Sequence, residues 1–126
     1  MHDDGLVRTF DTGATRDSEQ GKYDYEGFLS PLVLHAFAAY MHEHRKMPDG
    51  SMRDADNWQQ GFGRPVIMKS LVRHLMDLWL LHDGFAVPRP ETGEVPTWDD
   101  ALGGLMFNVM AYWFDVLTTR PPQPGR

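Results

Sequence analysis

Three apolar segments with helical spacing, each bounded by proline, glycine or a capping residue, leave this chain little choice but a helical fold. The first runs from Leu32 to Lys46 behind Ser30 and Pro31, residues suited to the N-cap and first turn, and stops at Pro48, Asp49 and Gly50. Val33, Phe37, Tyr40 and Met41 share one broad side of it, with Leu34 and Ala38 alongside. Pro65 opens the second, which continues to about Leu81 or His82 and stops before Gly84. Its apolar positions, Ile67, Leu71, Leu75, Leu78, Trp79 and Leu81 with Val72 and Met76 between them, wrap so much of the circumference that a central helix is expected. Thr97 and Asp100 form a capping-box pair at the head of the third, whose main stripe is Leu102, Leu105, Met106, Val109, Trp113 and Leu117. Gly103 and Gly104 cost helix propensity, which points to a close backbone approach there.

The connections are read from their punctuation. Residues 1–20 suggest a flexible arm, and Tyr23, Tyr25 and Phe28 are expected to anchor its end by burying aromatic area. Residues 51–64 contain Asp54, Asp56, Asn57 and Trp58, with a short helical turn expected around Trp58 and a bend at Gly61 and Gly63. Residues 84–96 read as a loop, and the proline-rich residues 119–126 as a flexible tail. The expected architecture is all-α: one compact domain of three to four helices over residues 1–126, with long connecting loops and a core at 21–118.

With 126 residues, no cysteine and a net charge of -6, the composition excludes disulfides and thiolate metal sites and argues against binding a nucleic-acid polymer. No secretory leader and no membrane-length apolar run is read, so the expectation is a cytoplasmic protein.

Chemistry-bearing residues stand out where polar side chains interrupt apolar helices. Arg73 and His74 can both meet Asp77 one turn on, either as a structural ion pair with a satisfied histidine or as a metal and phosphate site. Asn108 lies among Met106, Phe107, Val109 and Met110, where an unpaired amide is costly, so it needs a partner on a neighbouring element or on a ligand. Asp115 shares its face and could supply a second hard oxygen ligand or lie on plain surface. His42 to Lys46 read as a solvated face in which Glu43 is the best oxygen ligand. Trp58 either covers the core edge or walls a pocket for a flat base.

Four stretches, Gly21 to Pro31, Asp56 to Gly61, Lys69 to Leu75 and Phe107 to Val109, resemble a family of phage and prophage proteins. These are the N-terminal domains of dATP/dGTP diphosphohydrolases, distantly similar to the all-α MazG-type nucleotide pyrophosphohydrolases. The resemblance implies a MazG-like bundle in a bacterial cytoplasm, homo-oligomeric, with Mg²⁺ or Mn²⁺ on carboxylates. The implied reaction hydrolyses a deoxynucleoside triphosphate to monophosphate and pyrophosphate. It further implies Glu43, Asp77 and His74 as catalytic residues, Glu43, Asp77 and Asp115 as metal ligands, and Arg73, Lys69, Asn57, Trp58 and Asn108 as substrate contacts. The chain departs from the family at His35 and Ala39, where related first helices carry acidic residues. A divergent enzyme, an enzyme completed by a partner subunit, and a non-catalytic nucleotide-binding or interaction module therefore all stay open. So does a histidine–aspartate phosphohydrolase set using His82 and Asp83 with His35 or His42 and Asp115.

Overall fold

A computed structural model describes residues 7–120, together with the backbone of His2–Asp3; the proline-rich 121–126 lies outside the described residues. Contacts cluster in two units, Met1–Pro31 and Leu32–Arg126, where the sequence suggests one domain.

The first unit holds a small antiparallel sheet in the order β1 (His2–Asp3), β2 (Val7–Thr9), β3 (Thr15–Asp17). Arg8 pairs with Arg16 across β2 and β3, and Gly13 supplies the positive φ of the turn between them. The Arg8 guanidinium ties the sheet to the chain that follows, donating to the Asp17 carbonyl at 3.0 Å and to Glu19 at 2.7 Å. Residues expected to form a loose arm therefore carry a ladder. The three aromatics behave differently from expectation too. Tyr23, Tyr25 and Phe28 are 77%, 68% and 82% exposed, because α1 (Tyr25–Phe28) is a single capped turn with no buried residue.

The second unit is mostly helical, with α2 (Pro31–Glu43), a 3₁₀ turn at Asn57–Gln60, α3 (Arg64–His82) and α4 (Trp98–Thr119). Pro65 sits in the first turn of α3, where its missing N–H costs nothing. Thr97 and Asp100 close a reciprocal capping box at α4, as their spacing indicates, with both hydrogen bonds at 3.0 Å. α2 ends at Glu43, three residues short of expectation: Arg45 N–H already reaches back to the His42 carbonyl. The chain then reverses at Met47–Pro48–Asp49–Gly50. Gly50 N–H donates to the Met47 carbonyl, with proline and glycine where such a turn favours them.

α3 and α4 pack antiparallel. Arg64 at the head of α3 meets Asp115 and Thr119 near the tail of α4, Ser70 meets Asn108, and His74 lies against Gly104. On α4 the side turned to α3 consists of Ala101, Gly104, Asn108 and Ala111, all buried. This overturns the expected core stripe: Leu102, Met106, Val109, Trp113 and Leu117 are exposed, Trp113 by 62%. α3 behaves alike. Ile67 is buried against α4, while Met68, Val72, Leu75 and Trp79 are exposed, so α3 is covered on part of its circumference and is not central. Small side chains let the helix axes come close, so apolar bulk is left for the outer side.

Candidate functional site

The inner side of the α3–α4 pair, within the second unit, carries a cavity of about 510 Å³. Its aromatic lining comes from Tyr40 on α2, Trp58 on the 3₁₀ turn, Phe62, and Phe107 on α4. Trp58 stands edge-on to Phe114 at 5.0 Å and to Phe107 at 6.5 Å, and Phe62 stands edge-on to Phe107 at 6.2 Å. These T-shaped contacts fix the indole in place. Trp58 covers the edge of α4 and lines the cavity.

Gly103 and Gly104 let the helices come close to their neighbours. A side chain on Gly103 would enter the Tyr40 ring, and one on Gly104 would enter the His74 imidazole. The approaching groups are therefore rings, where a backbone was expected. Tyr40 in turn lies against His44, with centroids 4.0 Å apart. Burial raises the Tyr40 phenol above its ordinary pKa, and the Asp100 charge adds to this against the pull of Arg89.

The polar lining between α3 and α4 is Asn108, which is buried, with Ser70 and His74, which are partly so. Asn108 donates from its amide nitrogen to the Gly104 carbonyl at 2.7 Å and to Ser70 Oγ at 3.2 Å. Its need for a partner is met by the neighbouring helix and its own preceding turn. The same residue lines the cavity. His74 Nδ1 is buried without a hydrogen bond; Asp77 lies 3.9 Å away, too far to accept one. Desolvation lowers the His74 pKa, the nearby Arg89 charge lowers it further, and Asp77 only partly opposes them. Its surroundings therefore favour the neutral imidazole, with Nδ1 out of contact with solvent.

At the open end lie Arg45, Arg53 and Asp54. The reversal at Met47–Gly50 brings the two arginines together. Arg45 Nε donates to the Arg53 carbonyl at 2.6 Å, and an Arg53 terminal nitrogen donates to the His44 carbonyl at 3.1 Å. Neither guanidinium meets a carboxylate within ion-pair distance among the described residues. Their remaining donors suit an anion with several oxygens.

Of the residues singled out in the sequence, His42, Asn57, Trp58, His74 and Asn108 share this cavity; Glu43, Lys69, Arg73, Asp77 and Asp115 do not line it. Asp77 is taken by Arg89, which donates to one carboxylate oxygen at 3.0 and 2.6 Å. Asp115 is taken by Arg64. Since Arg64 and Asp77 lie about 20 Å apart along α3, the two aspartates cannot share an ion as placed. Glu43, Lys69 and Arg73 are exposed, as are His35, His82 and Asp83. Among the described residues no three His, Asp or Glu side chains stand together as a metal shell. The residues the sequence reading missed are Arg45 and Arg53. Their signal was the Pro48–Asp49–Gly50 turn midway between them, read only as a helix stop.

No family model, curated protein or solved structure matches this chain.

Proposed function

We propose that the chain binds a nucleotide, with the base in the Trp58 cavity and the phosphates at Arg45 and Arg53. The observation that carries this is the pairing, at one opening, of fixed aromatic edges with two guanidinium groups that have no carboxylate partner among the described residues. Aromatic side chains and a neutral, hydrogen-bonding floor accept a flat heterocycle. Asp54 at the same opening sets a limit on the charge the site holds, and leaves room for recognition of a sugar hydroxyl.

The dATP/dGTP hydrolysis implied by the phage-family resemblance, with its MazG-like bundle and Mg²⁺ or Mn²⁺, is the more specific form of this proposal. It needs carboxylates that bind metal in place of arginine, and Asp77 and Asp115 both have arginine partners. Binding without turnover by the isolated chain is therefore the reading the geometry supports better.

Titration calorimetry with each of the four dNTPs, deoxyadenosine and tripolyphosphate tests the binding. A dNTP is expected to bind more tightly than either fragment, and Arg45→Gln/Arg53→Gln to weaken it about tenfold or more, the loss of one or two charge-assisted contacts. No heat with any dNTP sinks the proposal. Pyrophosphate release with Mg²⁺ or Mn²⁺, abolished by Asp77→Asn, would establish the hydrolytic form instead.

A further inference from the structure

Of His42, His44 and His74, which all line the cavity, His44 is the one whose tautomer a hydrogen bond fixes. Its Nδ1 stands 2.8 Å from the Tyr40 carbonyl oxygen. A carbonyl only accepts, so Nδ1 carries the proton and the neutral ring keeps its lone pair on Nε2. Helix closure does not call for this bond, because the same carbonyl already accepts the His44 backbone N–H at 3.2 Å. What the bond does is orient the ring. The imidazole lies against Tyr40 with centroids 4.0 Å apart and 30° between the planes, and it offers the cavity an acceptor.

That acceptor sits between the two halves of the proposed site. On one side Tyr40 joins the aromatic lining. On the other, the His44 carbonyl accepts from an Arg53 terminal nitrogen at 3.1 Å, and Arg45 is the next residue. In a nucleotide the part between base and phosphates is the sugar. An ionised phosphate has only lone pairs to offer a second lone pair, whereas a sugar hydroxyl donates. Asp54 at the same opening can accept as well, but its carboxylate sets a negative charge beside the phosphates, which a neutral imidazole does not.

We infer that His44 is a specificity-determining residue of this site, accepting the 3′-hydroxyl of the bound nucleotide at Nε2. The inference rests on the nucleotide reading and narrows its ligand class. The site takes free nucleotides with an unesterified 3′-hydroxyl, in preference to dideoxynucleotides and to nucleotides joined through that oxygen in a strand.

Titration calorimetry of the full chain with each dNTP and its 2′,3′-dideoxy counterpart tests this. The dNTP should bind about three- to tenfold more tightly, the worth of one neutral hydrogen bond. His44→Phe keeps a ring over Tyr40 and loses both nitrogens. It should bring the dNTP down to the affinity of the dideoxy form, and leave the latter unchanged within about twofold. If that variant does not fold, nitrogen-15 NMR of the unaltered chain decides. His44 Nδ1 should carry the proton, and the bare Nε2 should shift on adding a dNTP but not on adding its dideoxy form. Failure of every dNTP to bind sinks the nucleotide reading, and this inference with it. Binding that depends on Arg45 and Arg53 but shows no preference for the dNTP leaves that reading standing and overturns this one. So does a proton found on Nε2 in place of Nδ1, or a preference that survives in His44→Phe, which would assign the hydroxyl to Asp54.

Discussion

The two sides of the α3–α4 pair are made from the same helices and follow opposite rules. On the inner side of α4 the buried residues are small or polar, Ala101, Gly103, Gly104, Asn108 and Ala111, and Ile67 of α3 is the one large apolar side chain buried with them among the described residues. On the outer side the residues with the largest hydrophobic area, Trp79 and Trp113, are more than half exposed. Burial in this unit follows how closely two backbones can approach, and hydrophobicity comes second. Asn108 and Asp77 persist in these helices because each has a local partner, in Ser70 and Arg89, while His74 Nδ1 is left without one. The outer bulk stays exposed among the described residues.

This contrast can be broken most forcefully at Asp77. Asp77→Ala strips Arg89 of its two hydrogen bonds in a partly buried position and should cost about 2–3 kcal/mol in urea unfolding. Replacing both partners by leucine should recover most of that loss, because an apolar pair leaves no uncompensated charge.

A smaller effect separates the two faces directly. Gly104→Ala drives a methyl group into His74 at an overpacking cost of about 1–3 kcal/mol, against about 1 kcal/mol gained in helix propensity. A net loss of up to roughly 2 kcal/mol is expected. Leu102→Gln on the outer face should stay within about 0.5 kcal/mol. A stabilised Gly104→Ala would mean that the inner face is looser than described.

The gentlest probe is pH. The folded pKa of His74 lies below its unfolded value of about 6.5, so the fold holds the neutral ring. Acidification protonates the unfolded chain first. Stability should therefore fall as pH drops through about 6.5, and go on falling until the folded pKa is passed. Urea midpoints measured between about pH 7.5 and pH 5.5 should show this slope, and His74→Gln should flatten it. An unchanged slope in that variant would place the titration elsewhere.

Much of the framework was legible because it rests on local chemistry. Pro31, Pro65 and the Thr97–Asp100 box mark helix starts whatever surrounds them, and all three do so here. Asn108 could be recognised as needing a partner because an unsatisfied amide is expensive anywhere in an apolar helix. The site was only half legible. Trp58 and His74 were in view, but Arg45 and Arg53 become neighbours only through the reversal at Met47–Gly50. Asp77 and Asp115 look alike as carboxylates in apolar helices, and their fate depends on Arg89 and Arg64, which are 12 and 51 residues away in the chain.

The sequence by itself determined where the helices of the second unit begin, that they carry apolar periodicity, and that a few polar groups inside them must be accounted for. Only the tertiary structure decided which side of each helix is inside. Periodicity reports that a helix has an apolar face but not what it packs against, and here the glycines and alanines of α4 admit Tyr40, His74 and α3 more closely than its leucines and tryptophans could. The same choice left Trp79 and Trp113 on the outward side of their helices.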